Sequence, residues 1–135
     1  MRIRKLVLAG AILMPGHASA QEWSHSIARG LDLYQMSRPG VTVNVICDPA
    51  RVYGSDNSGI ELHLGSSVSP NGSVTFRAGD TALETTALRG RIGPDAPTWP
   101  AMLDLLGTAG MVQIEHDGEV HSLDLKGPAA FSCSP

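Results

Sequence analysis

His116, Glu119 and His121 come closest to a chemical constellation in this 135-residue chain. They flank Asp117-Gly118, a residue pair favoured for a two-residue type I′ turn. A hairpin folded there pairs His116 with Glu119 and Ile114 with His121, so all three polar residues share one face beside the turn. Two imidazoles and a carboxylate are zinc-ligand types, and catalytic zinc needs three protein ligands and an open position. The same residues allow acid–base chemistry, with His121 set against Glu119 or Asp124 as the dispersed His–carboxylate pair of a small hydrolase. The spacing is no known ligand signature, and tight turns splay such side chains into water. The expectation is a solvated hairpin tip, with no metal and no cofactor.

Ser55-Asp56-Asn57 resembles one motif of the serine penicillin-binding and β-lactamase enzymes. Beyond the first twenty residues the chain offers no Ser-x-x-Lys and no Lys-Thr-Gly to supply the nucleophile and its partners. The tripeptide therefore reads as part of a turn-rich loop. Nucleophile elbows, zinc-binding His-Glu-x-x-His helices and phosphate-binding glycine loops are also missing from the sequence. His25 and His63 lack sequence-local carboxylates and read as surface residues.

The elements that must position these residues read as strands. Val41, Val43, Val45 and Cys47 share one face of a strand, with Thr42, Asn44 and Asp48 on the other. Ile60, Leu62 and Leu64 repeat the alternation. Gly79-Asp80 suits a two-residue type II′ turn that pairs Ala78 with Thr81, Phe76 with Leu83 and Val74 with Thr85, gathering the large apolar residues on one face. The second hairpin, through Asp117-Gly118, also pairs Val112 with Leu123. One helix is expected at about residues 98–107, where Trp99, Met102, Leu103 and Leu106 stand at i, i+3, i+4 and i+7. Thr98 is its expected N-cap, Pro100 lies in its first turn, and Gly107 and Gly110 stop it. The predicted fold is mainly β, a small antiparallel β-sandwich or partly rolled sheet with the helix packed on it.

Residues 1–20 read as a cleaved secretory signal. Arg2, Arg4 and Lys5 precede an apolar run from Leu6 to Met14, and Ala18-Ser19-Ala20 is a small-x-small cleavage site. The apolar run is about half the length of a membrane span, so no membrane span is expected and the mature protein starts near Gln21. Residues 21–135 then form a single domain, and losing three basic residues takes the formal charge from −3 to −6. That sign disfavours nucleic acid as a partner. Cys47 and Cys133 are the only two cysteines, and in an exported chain they form a disulfide. Loops 49–59, 66–72 and 93–97 are the candidate contact surfaces, with Tyr53, Asp56, Asn57, Asn71 and Asp95 as candidate binding residues. Trp23, Tyr34 and Tyr53 are the aromatics expected to be partly exposed.

Met111-Val112-Gln113-Ile114, Gly118, Ser122 through Gly127, Ala129-Ala130 and Cys133 together resemble the end of the exported invasion-associated protein B family of alphaproteobacteria. The resemblance covers roughly the last 25 residues. It implies a signal peptide, a compact antiparallel β fold, and a periplasmic or surface accessory protein without catalytic residues to carry over. The function expected is that of an exported noncatalytic binding or accessory protein of the periplasm. It would act by contact with another envelope or secreted protein, for example as an inhibitor or immunity protein. A small secreted hydrolase and a structural envelope component are the alternatives, the last implying self-association through an exposed apolar edge strand.

Overall fold

Alternating apolar residues build most of the strands seen in a computed structural model, which describes residues 22–65, 69–108, 110–126 and 128–133. The segment read as a signal, and Gln21 after it, lie outside the described residues. In chain order the elements are β1 (Ser24–Ala28), β2 (Leu31–Arg38), β3 (Val41–Cys47), β4 (Gly59–Leu64), β5 (Gly72–Ala78), β6 (Thr81–Ala87), β7 (Arg91–Ile92), α1 (Trp99–Gly107), β8 (Gly110–His116) and β9 (Glu119–Leu125). They form two antiparallel sheets, ordered β1-β2-β3-β4-β7 and β6-β5-β8-β9.

The expected registers are present. β5 and β6 pair Phe76 with Leu83 and Val74 with Thr85. β8 and β9 pair His116 with Glu119, Ile114 with His121 and Val112 with Leu123. Asp117 and Gly118 take φ of 49° and 77°, as a type I′ turn requires, while Gly79 carries the positive φ of the other hairpin. The inward residues of both sheets, Val43, Val45, Ile60, Leu62, Val74, Phe76, Ile114 and Leu123 among them, are buried in one core.

The sheets meet at two places. Arg89 and Gly90 (φ 52° and 77°) turn the chain from β6, an edge of the second sheet, into β7, an edge of the first. Gly90 there accepts a hydrogen bond from Leu62 N at 2.7 Å and donates to Pro70 O at 2.8 Å. On the other flank Arg38 of β2 donates to the Ser122 carbonyl of β9 at 3.0 Å. The two sheets form a small β-sandwich tied at both flanks.

Trp99, Met102, Leu103 and Leu106 of α1 are buried, as their spacing predicts, and Leu105 joins them. Thr98 is the N-cap residue, as expected, but its hydroxyl does not do the capping, because its backbone is already helical. Its carbonyl accepts from Met102 N at 2.8 Å, while its Oγ1 is buried without a partner. At the other end Thr108 becomes extended and donates its hydroxyl to Asp104 O at 2.7 Å. Gly107 serves a crossing, since a Cβ there would lie 2.6 Å from the Ala129 carbonyl oxygen of the C-terminal tail. That tail is bonded to β3 through Cys47–Cys133, whose Cα atoms are 4.7 Å apart.

Two further findings depart from the sequence reading. β1 carries no apolar alternation and was not foreseen; all five of its residues are exposed. Asp48, expected on the polar face beyond β3, is only 2% exposed.

Candidate functional site

The hairpin tip is drier than expected. His116 and His121 lie on the face of β8–β9 that carries Val112, Ile114 and Leu123 into the core, and their side chains are only 14% and 16% exposed. Face parity outweighs proximity to the turn, so these imidazoles lie at the rim of the core and not in open water. His116 Nδ1 lies 3.1 Å from the Ser73 carbonyl oxygen and Nε2 3.2 Å from Asp117 Oδ2. His121 Nε2 is buried and makes no hydrogen bond; its nearest charge is Glu119 Oε2 at 3.5 Å.

Asp124 is three residues along β9 from His121 and so projects from the opposite face. The structure brings Glu119 towards His121 but leaves Asp124 away from it. Glu119 itself is largely exposed at the start of β9, and it is not among the residues lining the open concavity of about 370 Å³ that Ser73, Thr75, Glu115 and His116 form at this hairpin tip. Among the described residues no three His, Cys, Asp or Glu side chains converge as a metal-binding group.

A different Ser, Asp and His set does assemble, which sequence spacing could not announce because its members are 7 and 100 residues apart. Ser132 Oγ donates to Asp32 Oδ2 at 2.5 Å, and His25 Nε2 lies 2.9 Å from Asp32 Oδ1. The His25 ring stacks on Tyr34 at 4.5 Å, and Tyr34 accepts from Ser132 N at 3.2 Å. Tyr34, expected to be partly exposed, is buried beneath this cluster. In a hydrolytic triad the imidazole stands between hydroxyl and carboxylate so that it can take the hydroxyl proton. Here the carboxylate stands in the middle and the hydroxyl donates to it. The trio is a clasp holding the tail on β1 and β2, with Phe131 set edge-on against both Trp23 and Tyr34, each at 5.1 Å between centroids.

The Ser132 hydroxyl, then the His25 hydrogen bond, hold the Asp32 carboxyl below its ordinary 3.8 against the opposing effect of burial. A depressed carboxyl contributes stability at pH above its unfolded value and loses it as pH falls through the folded value. Asp32→Asn is therefore expected to flatten the acid limb of a stability–pH curve below about pH 4. Urea midpoints between about pH 5 and pH 2 check this. An unchanged acid limb would show that the clasp does not contribute.

Loop 48–58 has its own internal frame. Burial pushes the Asp48 carboxyl up, but the N–H groups of Val52 and Asn57 and the Asn57 amide outweigh it and hold the group below its ordinary value. Oδ1 accepts from Val52 N at 3.1 Å, Oδ2 from Asn57 N at 3.2 Å, and Ser58 Oγ accepts from Asp48 N at 3.0 Å. Asn57 is thus an internal strut, and Asp56 uses its carboxylate on Ser58 N at 2.9 Å. Tyr53 and Val52 remain on the surface, 58% and 48% exposed, with the Tyr53 hydroxyl donating to Arg29 O at 3.1 Å.

The other candidate loops divide in the same way. Asn71 accepts from Arg89 N at 2.6 Å and so fixes the inter-sheet corner, while residues 66–68 of its loop lie outside the described residues. Asp95 lines an open groove of about 740 Å³ with Glu84, Arg91 and Thr98. The Arg91 guanidinium beside that groove is already engaged by Glu61 Oε1 at 3.0 Å and Asn57 O at 2.8 Å. Gly59 leaves room for it, since a Cβ there would come within 2.7 Å of the guanidinium. Set against known proteins, the chain matches no family model, no curated relative and no solved structure.

Proposed function

We propose that this chain is an exported, noncatalytic protein of the periplasm that acts by contact with another envelope or secreted protein, in the manner of an inhibitor or immunity protein. The observation that carries the reading is the loop closed by Asp48. It is braced from within by a buried, multiply bonded carboxylate and presents Val52 and Tyr53 to solvent. A rigid loop loses little entropy on binding, and a tyrosine contributes large contact area from few rotatable bonds. The disulfide between Cys47 and Cys133 suits an oxidising compartment. No helix among the described residues is long and apolar enough to cross a membrane. The resemblance of roughly the last 25 residues to the end of the invasion-associated protein B family points to the same kind of accessory role.

Tyr53→Ala combined with Val52→Ser tests the reading. Oxidised protein used as bait in an envelope extract is expected to enrich a partner, and the double variant to bind it at least about tenfold more weakly, as loss of an interface anchor does. The variant's melting temperature should stay within about 4 °C of the parent's, because both side chains are about half exposed and outside the core. A parent that enriches nothing, or a variant that binds as well as the parent, overturns the proposal.

A further inference from the structure

β1 is an edge strand, paired to β2 on one side and to nothing described on the other, and exposed on both faces. Its hydrogen-bonding parity follows from the turn that precedes β2. Arg29 and Gly30 both have positive φ, and Ala28 faces Leu31 across them, so Ala28, Ser26 and Ser24 turn their N–H and C=O groups towards β2. His25 and Ile27 must turn theirs outward. Natural edges are usually blunted by charge, proline or a bulge, and β9 shows such protection, its Ser122 carbonyl being taken by Arg38. Ser24-His25-Ser26-Ile27-Ala28 carries no charged residue and no proline, and Ile27 is 72% exposed.

We infer that this edge pairs antiparallel with β1 of a second copy of the chain, about a two-fold axis through Ser26. The outward groups match where odd-numbered residues stand opposite odd-numbered ones, and an axis through Ser26 keeps both outward residues of β1 paired within the strand. His25 stands opposite the partner's Ile27 and Ile27 opposite the partner's His25, so each pair exchanges both of its free backbone hydrogen bonds. The strand meets no like charge. Glu22, whose carboxylate lies 3.6 Å from Lys126 Nζ, precedes one end of it and Arg29 follows the other, so antiparallel pairing sets no like charges against each other there. His25 is already ordered by Tyr34 and Asp32, and it offers a fixed ring for the opposing Ile27 to cover. The joined edge turns two five-stranded sheets into one continuous sheet. At about 3.3 Å per residue it places the two Arg29 turns, each carrying its Tyr53, roughly 20 Å apart. This inference stands independently of the loop's proposed partner.

A five-residue edge is a small contact, so the dimer is weak, with a dissociation constant on the order of 100 µM. Sedimentation equilibrium of the oxidised protein up to about 1 mM should show a monomer–dimer equilibrium. Ile27→Pro deletes an outward N–H and leaves the β1–β2 bonds in place; it should weaken the dimer at least about tenfold, as should Ile27→Lys. Amide protection at Ser26 and Ala28 should persist in the proline variant, showing that β1 is still folded. A parent that stays monomeric throughout, including one whose edge captures a strand from a different protein, overturns the inference. A dimer that survives both substitutions overturns it equally.

Discussion

Replacing Cys47 and Cys133 together by serine is expected to lower the melting temperature by about 18 °C. The bridge closes a separation of 86 residues, for which chain entropy gives about 4 to 5 kcal/mol, and a domain of this size loses about 4 °C per kcal/mol. The competing outcome is local. The tail is also held by Phe131 in the core, by Ser132 on Asp32, and by Ala129 N donating to Gly107 O at 2.8 Å. If these contacts sufficed, only the tail would fray and the main melt would barely move. The global outcome is expected because the bridge joins the tail to β3, which lies in the middle of its sheet, and because the clasp and Phe131 need the tail in place to act. Calorimetry of the double variant checks the magnitude, and hydrogen exchange at the Ala129 and Ser132 amides checks the mechanism. A shift below about 5 °C would mean that the aromatic and clasp contacts hold the tail without the bridge.

Much of this architecture was legible because two periodicities and two turns specify it. Val41, Val43, Val45 and Cys47 alternate cleanly, and the glycines at 79 and 118 can each take only a few turn types, so strand pairing and the buried side of Cys47 followed together. β1 was illegible for the opposite reason. It buries nothing, so no apolar pattern marks it, and it is a strand because Arg29 accepts a positive φ and β2 offers a ladder. Asp48 escapes the alternation because parity along β3 ends at Cys47, after which the loop's own amides surround the carboxylate. The case of His116 and His121 is more instructive. Their pairing with Glu119 and Ile114 already placed them on the core side, and only the assumption that turns are wet moved them outward. The His25, Asp32 and Ser132 clasp joins residues that share no local pattern, so it becomes visible only when the tail is folded back.

Gly90→Ala is expected to cost about 3 kcal/mol, or about 12 °C in melting temperature, although it adds one methyl group. Two effects combine. The φ of 77° at Gly90 lies in the left-handed region, where a Cβ costs about 1 to 2 kcal/mol. The added Cβ would also stand 2.8 Å from the Leu62 carbonyl oxygen and 2.9 Å from Ser69 Cβ, contacts too short to keep without moving β4 backbone. Overpacking of this kind typically costs another 1 to 3 kcal/mol. Gly118→Ala separates the two effects, since Gly118 has the same φ of 77° but nothing within 4 Å of its Cβ position. That variant should lose only about 4 to 8 °C, and the difference measures the crowding at the corner where the chain passes from one sheet to the other. Equal losses in the two variants would mean that the corner yields freely. The close hydrogen bonds of Gly90 to Leu62 and Pro70 would then follow from the joining of the sheets and not enforce it.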